Sequence, residues 1–227
     1  MTRYLANRAI NFLRAETDWI LRKIGIKHFK HFPTFLSIEP ANFCQLRCPQ
    51  CPVGQSGGGK HPHALMPLEL YRKLLKETCK WIHTIQFFFQ GEPLLNPHLP
   101  EMIHEARKRH IYTIVSTNAQ SLTPSLAHKL IAAGLNRIIV SVDGLTEESY
   151  AAYRKGGNLL RALDGLKYLR EAKTELRQHT TIELQCLLLK SNEHEWDIFR
   201  RNYKKLGADR LTFKTAQFYD YADGNPL

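Results

Sequence analysis

The chain has 227 residues, of which 43% are hydrophobic and 23% charged, and its formal net charge is +11. This composition is ordinary for a globular protein, and the length allows one α/β domain that buries about 70% of the surface exposed by its unfolded form. No apolar run approaches the ~18 residues of a membrane span, and charges interrupt any apolar core of a signal peptide. The sequence therefore predicts a cytoplasmic protein without a transmembrane segment, in which thiols stay reduced.

The first 32 residues carry much of the positive charge. They contain seven Lys and Arg side chains and only two acidic ones. Residues 3–24 have apolar side chains at roughly helical spacing, which predicts an amphipathic helix that ends at Gly25. Excess positive charge suits nucleic acid, an anionic membrane surface or an acidic substrate, but no recognisable nucleic-acid motif accompanies it. The pattern favours a solvated helix face over a basic amphipathic anchor at a membrane surface, and no nucleic-acid partner is expected.

A loop with three cysteines follows the first predicted strand, which covers residues 35–39. Cys44, Cys48 and Cys51 stand there in the spacing C-x3-C-x2-C. Thiolates are soft ligands that suit iron–sulfur clusters, zinc or copper. An all-cysteine 4Fe–4S site uses four thiolates, so three leave one iron without a protein ligand. An open coordination position is where a metal site does chemistry.

The alternative is a non-catalytic zinc module on an α/β scaffold. A structural zinc site has four closed ligands, and His61 or His63 would supply the fourth. The remaining cysteines, Cys79 and Cys186, stand alone, and Cys186 lies in an apolar strand where it is expected to be buried as a small hydrophobe. Neither is needed for the cluster.

Helices and strands then alternate regularly. Further strands are predicted at residues 85–90, 111–116, 137–142, 180–189 and 210–215. Helices are predicted to start near Pro67, Asn96, Thr123, Thr146, Asn158 and Asn192. Such alternation predicts right-handed βαβ units and a parallel sheet. Both a flat doubly wound sheet and an open partial barrel are compatible with it.

Small polar groups follow the apolar strand bodies. They are Gln90-Gly91-Glu92-Pro93, Ser116-Thr117-Asn118 and Ser141-Val142-Asp143-Gly144, with Gln185 and Lys214 in the last two strands. The carboxyl ends of strands carry the active site in βα sheets and barrels. Each short motif alone also suits a plain turn, so the indication comes from their order behind the cysteine loop.

The cysteine spacing and the order of these motifs resemble the radical SAM enzymes. QGEP at 90–93 looks like the GGEP motif of that family, and SVDG at 141–144 is similar to the fourth-strand motif of the branch that usually carries a C-terminal cysteine-rich, SPASM-type extension. The resemblance covers about residues 35–215. It implies an α/β fold, a partial (βα)6 TIM-type barrel with parallel strands, preceded by the amphipathic helix. Residues 1–32 are then a helical extension, and residues 33–227 the core of a longer protein with a C-terminal domain.

The resemblance also implies cofactors and their ligands. Three cysteines of this family hold a 4Fe–4S cluster, here Cys44, Cys48 and Cys51, and its open iron binds S-adenosyl-L-methionine. By position, the contacts to that cofactor are Gly91, Glu92, Asn118, Ser141 and Arg154, with Ser141 at the ribose and Arg154 at the carboxylate. Reductive cleavage then gives methionine and a 5′-deoxyadenosyl radical, which takes a hydrogen atom from the substrate. A flavodoxin or ferredoxin is implied as electron donor. The substrate stays open, since some relatives modify peptides and others small molecules.

Overall fold

The computed structural model describes residues 2–26, 30–55 and 62–217, except for the side chains of residues 2 and 3. The strands are β1 Phe35–Ser37, β2 Thr84–Gln86, β3 Tyr112–Thr117, β4 Arg137–Ser141, β5 Thr181–Leu188 and β6 Arg210–Thr215. The helices are α1 Thr2–Lys23, α2 Pro52–Gln55, α3 Leu68–Thr78, α4 Leu99–Lys108, α5 Pro124–Ala132, α6 Glu147–Tyr153, α7 Leu159–Glu175 and α8 Trp196–Asn202. Within these ranges, no helix combines the length and the apolar character needed to cross a bilayer.

All six strands are parallel and lie in the order β1 to β6, with no reversal. A doubly wound sheet reverses its strand order at a switch point. Because every crossover here runs in one direction, the helices share one face of the sheet: α3 packs on α4, α4 on α5, and α5 on α7. The predicted partial (βα)6 barrel is confirmed, and the flat alternative is wrong.

The main core lies between the outer face of the sheet and these helices. Ile138 and Val140 of β4 belong to it, because alternate side chains of a strand point to opposite faces. On the inner face of the same strand, Arg137 pairs with Glu183 of β5, and Ser141 reaches a cavity at the carboxyl end. The barrel interior is therefore partly polar, which suits a lumen that receives a ligand.

Two predicted helix starts are wrong. Helix α4 begins at Leu99 after His98: the Oδ1 of Asn96 accepts from the N–H of His98 at 2.9 Å, one residue before the helix, and its amide nitrogen donates to the carbonyl of Pro40 at 2.9 Å. Asn192 lies inside a 3-10 segment, Lys190–Glu195, and donates to the carbonyls of Asp143 and Leu187 at 2.9 and 2.8 Å. In neither case does the Oδ1 atom cap the first turn of the helix, since that of Asn192 accepts from the N–H of Leu189 and from the indole of Trp196.

The caps of the other helices follow the sequence. Thr123, Thr146 and Asn158 each accept a hydrogen bond from a backbone N–H of the first turn of α5, α6 and α7. The strand at the apolar run 85–90 is shorter than predicted. It ends at Gln86, and Phe88, Phe89 and Gln90 line the cavity instead.

Helix α1 docks against the amino-terminal end of the barrel through polar side chains. Arg8, only 5% exposed, donates to the backbone carbonyls of Cys79, Arg109 and His110. Asn11 donates to the carbonyl of Phe32, just before β1, and accepts from the N–H of the same residue. These acceptors all precede strands, so α1 lies at the end of the barrel opposite to the carboxyl ends of the strands.

Candidate active site

The carboxyl ends of the strands surround a cavity of about 170 Å³. All eight residues that the sequence singles out for the site line it: Cys44, Cys48, Cys51, Gly91, Glu92, Asn118, Ser141 and Arg154. The structure thus brings together residues that are more than 100 positions apart in the chain. Gln185 is not among the lining residues of this cavity, whereas Lys214 lines an adjoining one of about 200 Å³ together with Cys51 and Arg154.

The cysteine loop is held in place by its neighbours. The carboxylate of Glu39, just after β1, accepts hydrogen bonds from the backbone N–H groups of Gln90 at 2.9 Å and Gly91 at 2.7 Å. The N–H of Glu92 donates to the carbonyl of Phe43 at 2.9 Å. These bonds join the loop before the first cysteine to the turn after β2, so the two segments form one wall of the cavity.

Gly91 is required where these two segments touch. A Cβ atom at this position would lie 1.9 Å from the carbonyl oxygen of Ala41. Only glycine lets the two backbones approach so closely. The glycine of the QGEP motif is therefore explained by its packing against the cysteine loop, and a contact of its backbone with a bound cofactor stays a prediction.

Glu92 links the turn after β2 to the end of β3. One carboxylate oxygen accepts from the hydroxyl of Thr117 at 2.6 Å and from the N–H of Leu94 at 3.0 Å, and the other accepts from the N–H of Asn118 at 2.9 Å. Burial raises the pKa of Glu92, and these hydrogen bonds offset part of that effect. A carboxylate offers about four acceptor positions, three of which are used here, and a contact of Glu92 with a bound cofactor stays a prediction.

Asn118 lies against the first cysteine. Its amide nitrogen donates to the Sγ of Cys44 at 3.3 Å, while its Oδ1 accepts from the Nε2 of Gln45 at 3.1 Å. The side chain therefore orients the Cys44 thiol, and its contact with a ribose stays a prediction. Ser141, 7% exposed at the end of β4, turns its side chain to the same cavity.

Arg154 reaches the site from the residue after α6. Its Nε donates to Oδ2 of the fully buried Asp143 at 2.5 Å, and its Nη1 lies 3.9 Å from the Sγ of Cys48. Burial lowers the pKa of Arg154, but the charge and hydrogen bond of Asp143 together with the charges of Cys48 and Tyr150 outweigh it, and the net shift is upward. Asp143 in turn accepts from the N–H of Leu187 at 2.7 Å, so the guanidinium is fixed to both β4 and β5.

The three thiols form a donor set that fits an iron–sulfur cluster. Burial raises the pKa of the Cys44 thiol to about 12 and raises that of Cys48 as well, so both need a metal to become thiolates. Cys44 accepts from the N–H of Leu46 at 3.4 Å in addition to Asn118. Hydrogen bonds to the sulfurs are among the features that set the reduction potential of such clusters.

The zinc alternative finds less support. Within residues 2–26, 30–55 and 62–217, no group of three or more His, Cys, Asp or Glu side chains is arranged to hold one metal ion. A cluster differs because each thiolate binds its own iron, so the thiols need to surround a common cavity and not a common point. His61 lies outside the described residues, and the ring of His63 stacks on Phe43 at 4.6 Å.

Two side chains that shape the site have no role in the sequence-based prediction. They are Glu39, at the end of the predicted first strand, and Asp143, within SVDG. The signal for Asp143 was present, since a carboxylate next to a site arginine predicts an ion pair. No local pattern indicates Glu39, because its acceptors are 51 and 52 residues away in the chain.

Comparison with known proteins agrees with this site. Residues 38–200 match the Radical SAM superfamily, and the chain therefore belongs to that superfamily, whose enzymes use a 4Fe–4S cluster and S-adenosylmethionine.

The other two cysteines, Cys79 and Cys186, are buried in the core, at 4% and 0% exposure.

Several characterised proteins are similar in sequence. The AdoMet-dependent heme synthase of Methanosarcina barkeri is 27% identical over 68% of this chain and 44% of its own length. The PqqA peptide cyclase of Bradyrhizobium diazoefficiens is 28% identical over 84% of this chain and 48% of its own. The mycofactocin maturase MftC of Mycobacterium tuberculosis is 27% identical over 78% of this chain and 43% of its own length. The chain thus spans less than half the length of these relatives.

Solved structures share the fold. Streptococcus suis SuiB bound to S-adenosylmethionine has a TM-score of 0.70 and 18% identity, covering 94% of this chain and 47% of SuiB. SuiB bound to its precursor peptide SuiA has a TM-score of 0.67 and 19% identity, covering 88% of this chain and 42% of SuiB. At these identities the likeness shows the fold alone.

Proposed function

We propose that this chain is the catalytic core of a radical SAM enzyme that modifies a peptide. The observation that supports a radical SAM core is one cavity, which is lined by the C-x3-C-x2-C thiols and by Asn118, Ser141 and Arg154. Membership of the superfamily makes the chain an enzyme core. The substrate class and the individual residue roles are the new elements of the proposal.

Five residues of the cavity have a defined task in this proposal. Cys44, Cys48 and Cys51 would hold three irons of a 4Fe–4S cluster, which would supply the electron for cleavage of a carbon–sulfur bond of S-adenosylmethionine. The guanidinium of Arg154 suits the cofactor carboxylate, since its planar fork makes parallel hydrogen bonds. The hydroxyl of Ser141 suits a ribose oxygen. The electron comes from a flavodoxin or ferredoxin of the cytoplasm.

A second cavity supports a peptide as substrate. It has a volume of about 560 Å³ and is mostly apolar, with lining residues from α6 and from the ends of β5 and β6 that include Leu188, Leu189, Thr215 and Ala216. Tyr153 lines both this cavity and the one with the cysteines. Within the described sheet β6 is an edge strand, and an extended peptide can add to such an edge through main-chain hydrogen bonds.

The names of similar proteins point in the same direction. One relative is a PqqA peptide cyclase, and one neighbour was solved with a precursor peptide bound. The AdoMet-dependent heme synthase shows that a non-peptide substrate is the competing possibility.

The first experiment tests the cofactors. The chain is purified without oxygen, reconstituted with iron and sulfide, reduced with dithionite and given S-adenosylmethionine. We expect about four irons and the formation of 5′-deoxyadenosine. Zinc in place of iron, with no nucleoside formed, would overturn the enzyme proposal.

The second experiment tests the substrate class. Peptides and small molecules are extracted from cells grown on deuterated amino acids, separated by size, and incubated with the reconstituted chain. Deuterium in 5′-deoxyadenosine from the peptide fraction, lost after protease treatment of that fraction, supports a peptide. Deuterium that comes only from a protease-resistant small-molecule fraction would show that the peptide assignment is wrong while leaving the radical chemistry intact.

A further inference from the structure

Helix α1 is oriented with its apolar side outward. Its periodic apolar residues Leu5, Ile10, Leu13 and Ile20 are 47–65% exposed, and Ile24, just after the helix, is 68% exposed. Its buried side chains are polar, namely Arg8, Asn11 and Asp18, at 5%, 1% and 1% exposure. An amphipathic helix of a globular domain normally turns its apolar stripe to the core, so this arrangement is the reverse of the usual one.

The two stripes lie on opposite sides of the helix. Ile10, Leu13 and Ile20 each follow a buried polar residue by two positions, which is a rotation of about 200° in an α-helix. The apolar stripe therefore points directly away from the barrel. The amino-terminal end of the barrel, which α1 covers, presents backbone carbonyls. Arg8 and Asn11 donate hydrogen bonds to these carbonyls, and this explains why the polar side of α1 faces inward.

The charges around the apolar stripe are unequal. Arg14 and Lys23 are exposed on α1, and Lys23 lies 3.7 Å from the centre of the Trp19 ring. Asp18 is turned inward, where it accepts from the N–H of Lys30 at 3.0 Å. Glu16 is then the one acidic residue among those described in α1 that is exposed. The outer side of the helix is thus both apolar and positive.

We propose that α1 lies flat on an anionic lipid surface. An interfacial helix has a wide apolar side that enters the headgroup region, basic residues that attract anionic lipids, and aromatic residues at the boundary. Phe12 and Trp19, 46% and 55% exposed, lie along one edge of the stripe in this way. A second copy of the chain would bury the apolar stripe as well, but two copies would bring two positively charged surfaces together, and this favours lipid.

The position of α1 leaves the active site accessible on a membrane. Helix α1 covers the amino-terminal end of the barrel, whereas the cavity with the cysteines lies at the carboxyl ends of the strands. A lipid surface under α1 therefore does not block the site. The chain would meet its substrate from the side that faces away from the bilayer.

The test uses the 227-residue chain and flotation with vesicles of phosphatidylcholine alone or mixed with phosphatidylserine. Variants are L13E/I20E on the stripe, R14Q/K23Q beside it, and Leu160→Glu as a control. Leu160 is 67% exposed on α7, which matches the 65% exposure of Leu13. Thermal unfolding measured for every variant shows whether the fold is kept, which is expected because the replaced side chains are exposed.

We expect the unaltered chain to float with the anionic vesicles and less so as salt is raised. L13E/I20E should weaken binding by at least about tenfold, because each substitution removes an apolar side chain that lipid would bury. R14Q/K23Q should weaken it less, and Leu160→Glu should leave it unchanged. No flotation of the unaltered chain would overturn the proposal. Dimerisation that L13E/I20E abolishes, without lipid binding, would overturn it in favour of a second copy.

Discussion

Asp143 and Arg154 form an ion pair beside the Sγ of Cys48, with 2.5 Å between Oδ2 and Nε. Asp143 comes from the end of β4, and Arg154 follows α6. The pair has a counterpart at the opposite end of the barrel, where Arg137 of β4 meets the buried Glu183 of β5, also at 2.5 Å. The two pairs are similar in geometry, but only the first lies at the cavity, which allows a matched comparison.

We predict that Asp143→Asn weakens S-adenosylmethionine binding by at least about tenfold and lowers the free energy of unfolding by about 3 kcal/mol. The amide keeps an acceptor for the N–H of Leu187 but leaves the Arg154 charge without its counterion. Calorimetry on the reconstituted chain and urea unfolding measure the two effects. Arg137→Gln should destabilise comparably and leave the affinity unchanged. Equal affinities in both variants would show that Asp143 does not position Arg154.

Replacement of single cysteines should show that the three loop cysteines bind the cluster and that the other two do not. Cys44→Ala, Cys48→Ala and Cys51→Ala should each abolish the reconstituted cluster, because three thiolates are the minimum for this site. Cys79→Ala and Cys186→Ala remove buried thiols of the core and should retain it, with a modest loss of stability of about 1 kcal/mol. Iron and sulfide analysis is the measurement. Full loading in any of the three loop variants would contradict the assignment.

How far the sequence predicted this structure depends on the range of the interactions. Apolar alternation and the caps Thr123, Thr146 and Asn158 are local signals, and they placed strands and helices correctly. The motif order indicated eight candidate residues, and all eight line one cavity in the structure. It failed where a polar side chain binds distant partners, as Arg8 does with acceptors 71 to 102 residues away.

The orientation of α1 illustrates this limit. Periodicity shows that a helix has an apolar side and a polar side, but it does not show which side docks. That choice depends on what the barrel end presents, and it presents carbonyls of the turns before β2 and β3. A pattern within residues 3–24 contains no information about those turns.

Ser141→Ala should reduce the affinity for S-adenosylmethionine by about fivefold. A neutral hydrogen bond contributes about 1 kcal/mol, and the hydroxyl is predicted to bond a ribose oxygen. Iron content should not change, since Ser141 lines the cavity without being a proposed ligand. Calorimetry on variant and unaltered chain, both reconstituted, decides the point. An unchanged affinity would remove Ser141 from the cofactor contacts.

Asn118→Ala should lower the reduction potential of the reconstituted cluster by about 40 mV. The amide of Asn118 donates to the Sγ of Cys44 at 3.3 Å, and such a bond stabilises the more negative, reduced state. One hydrogen bond of about 1 kcal/mol corresponds to that shift for one electron. Potentiometry followed by electron paramagnetic resonance measures it. Ser121→Ala is the control, because its hydroxyl lies near Gln45 and not near a sulfur; a shift equal in both variants would contradict the role of Asn118.

Asp209 should make the fold sensitive to acid. Its Oδ2 accepts from the N–H of Ile182 at 2.9 Å and from Lys173 at 2.7 Å, and its Oδ1 accepts from Arg170 at 2.6 Å, so it fixes the start of β6. Burial favours the neutral acid, but these hydrogen bonds outweigh it and lower the pKa of Asp209. A lowered pKa in the folded state means that the unfolded chain binds more protons. The stabilisation is therefore fully present above the unfolded pKa of about 3.9 and is lost as the pH falls from there through the lower pKa of the folded state.

Asp209→Asn removes this contribution. We expect a free energy of unfolding lower by about 1–2 kcal/mol at neutral pH, and a difference from the unaltered chain that shrinks as the pH falls below about 4. Urea unfolding at a series of pH values measures both curves. The control is Asp197→Asn, which breaks an exposed pair with Arg200 and should change stability by less than about 0.5 kcal/mol. A constant difference between Asp209→Asn and the unaltered chain at every pH would mean that the carboxylate charge is not what stabilises the start of β6.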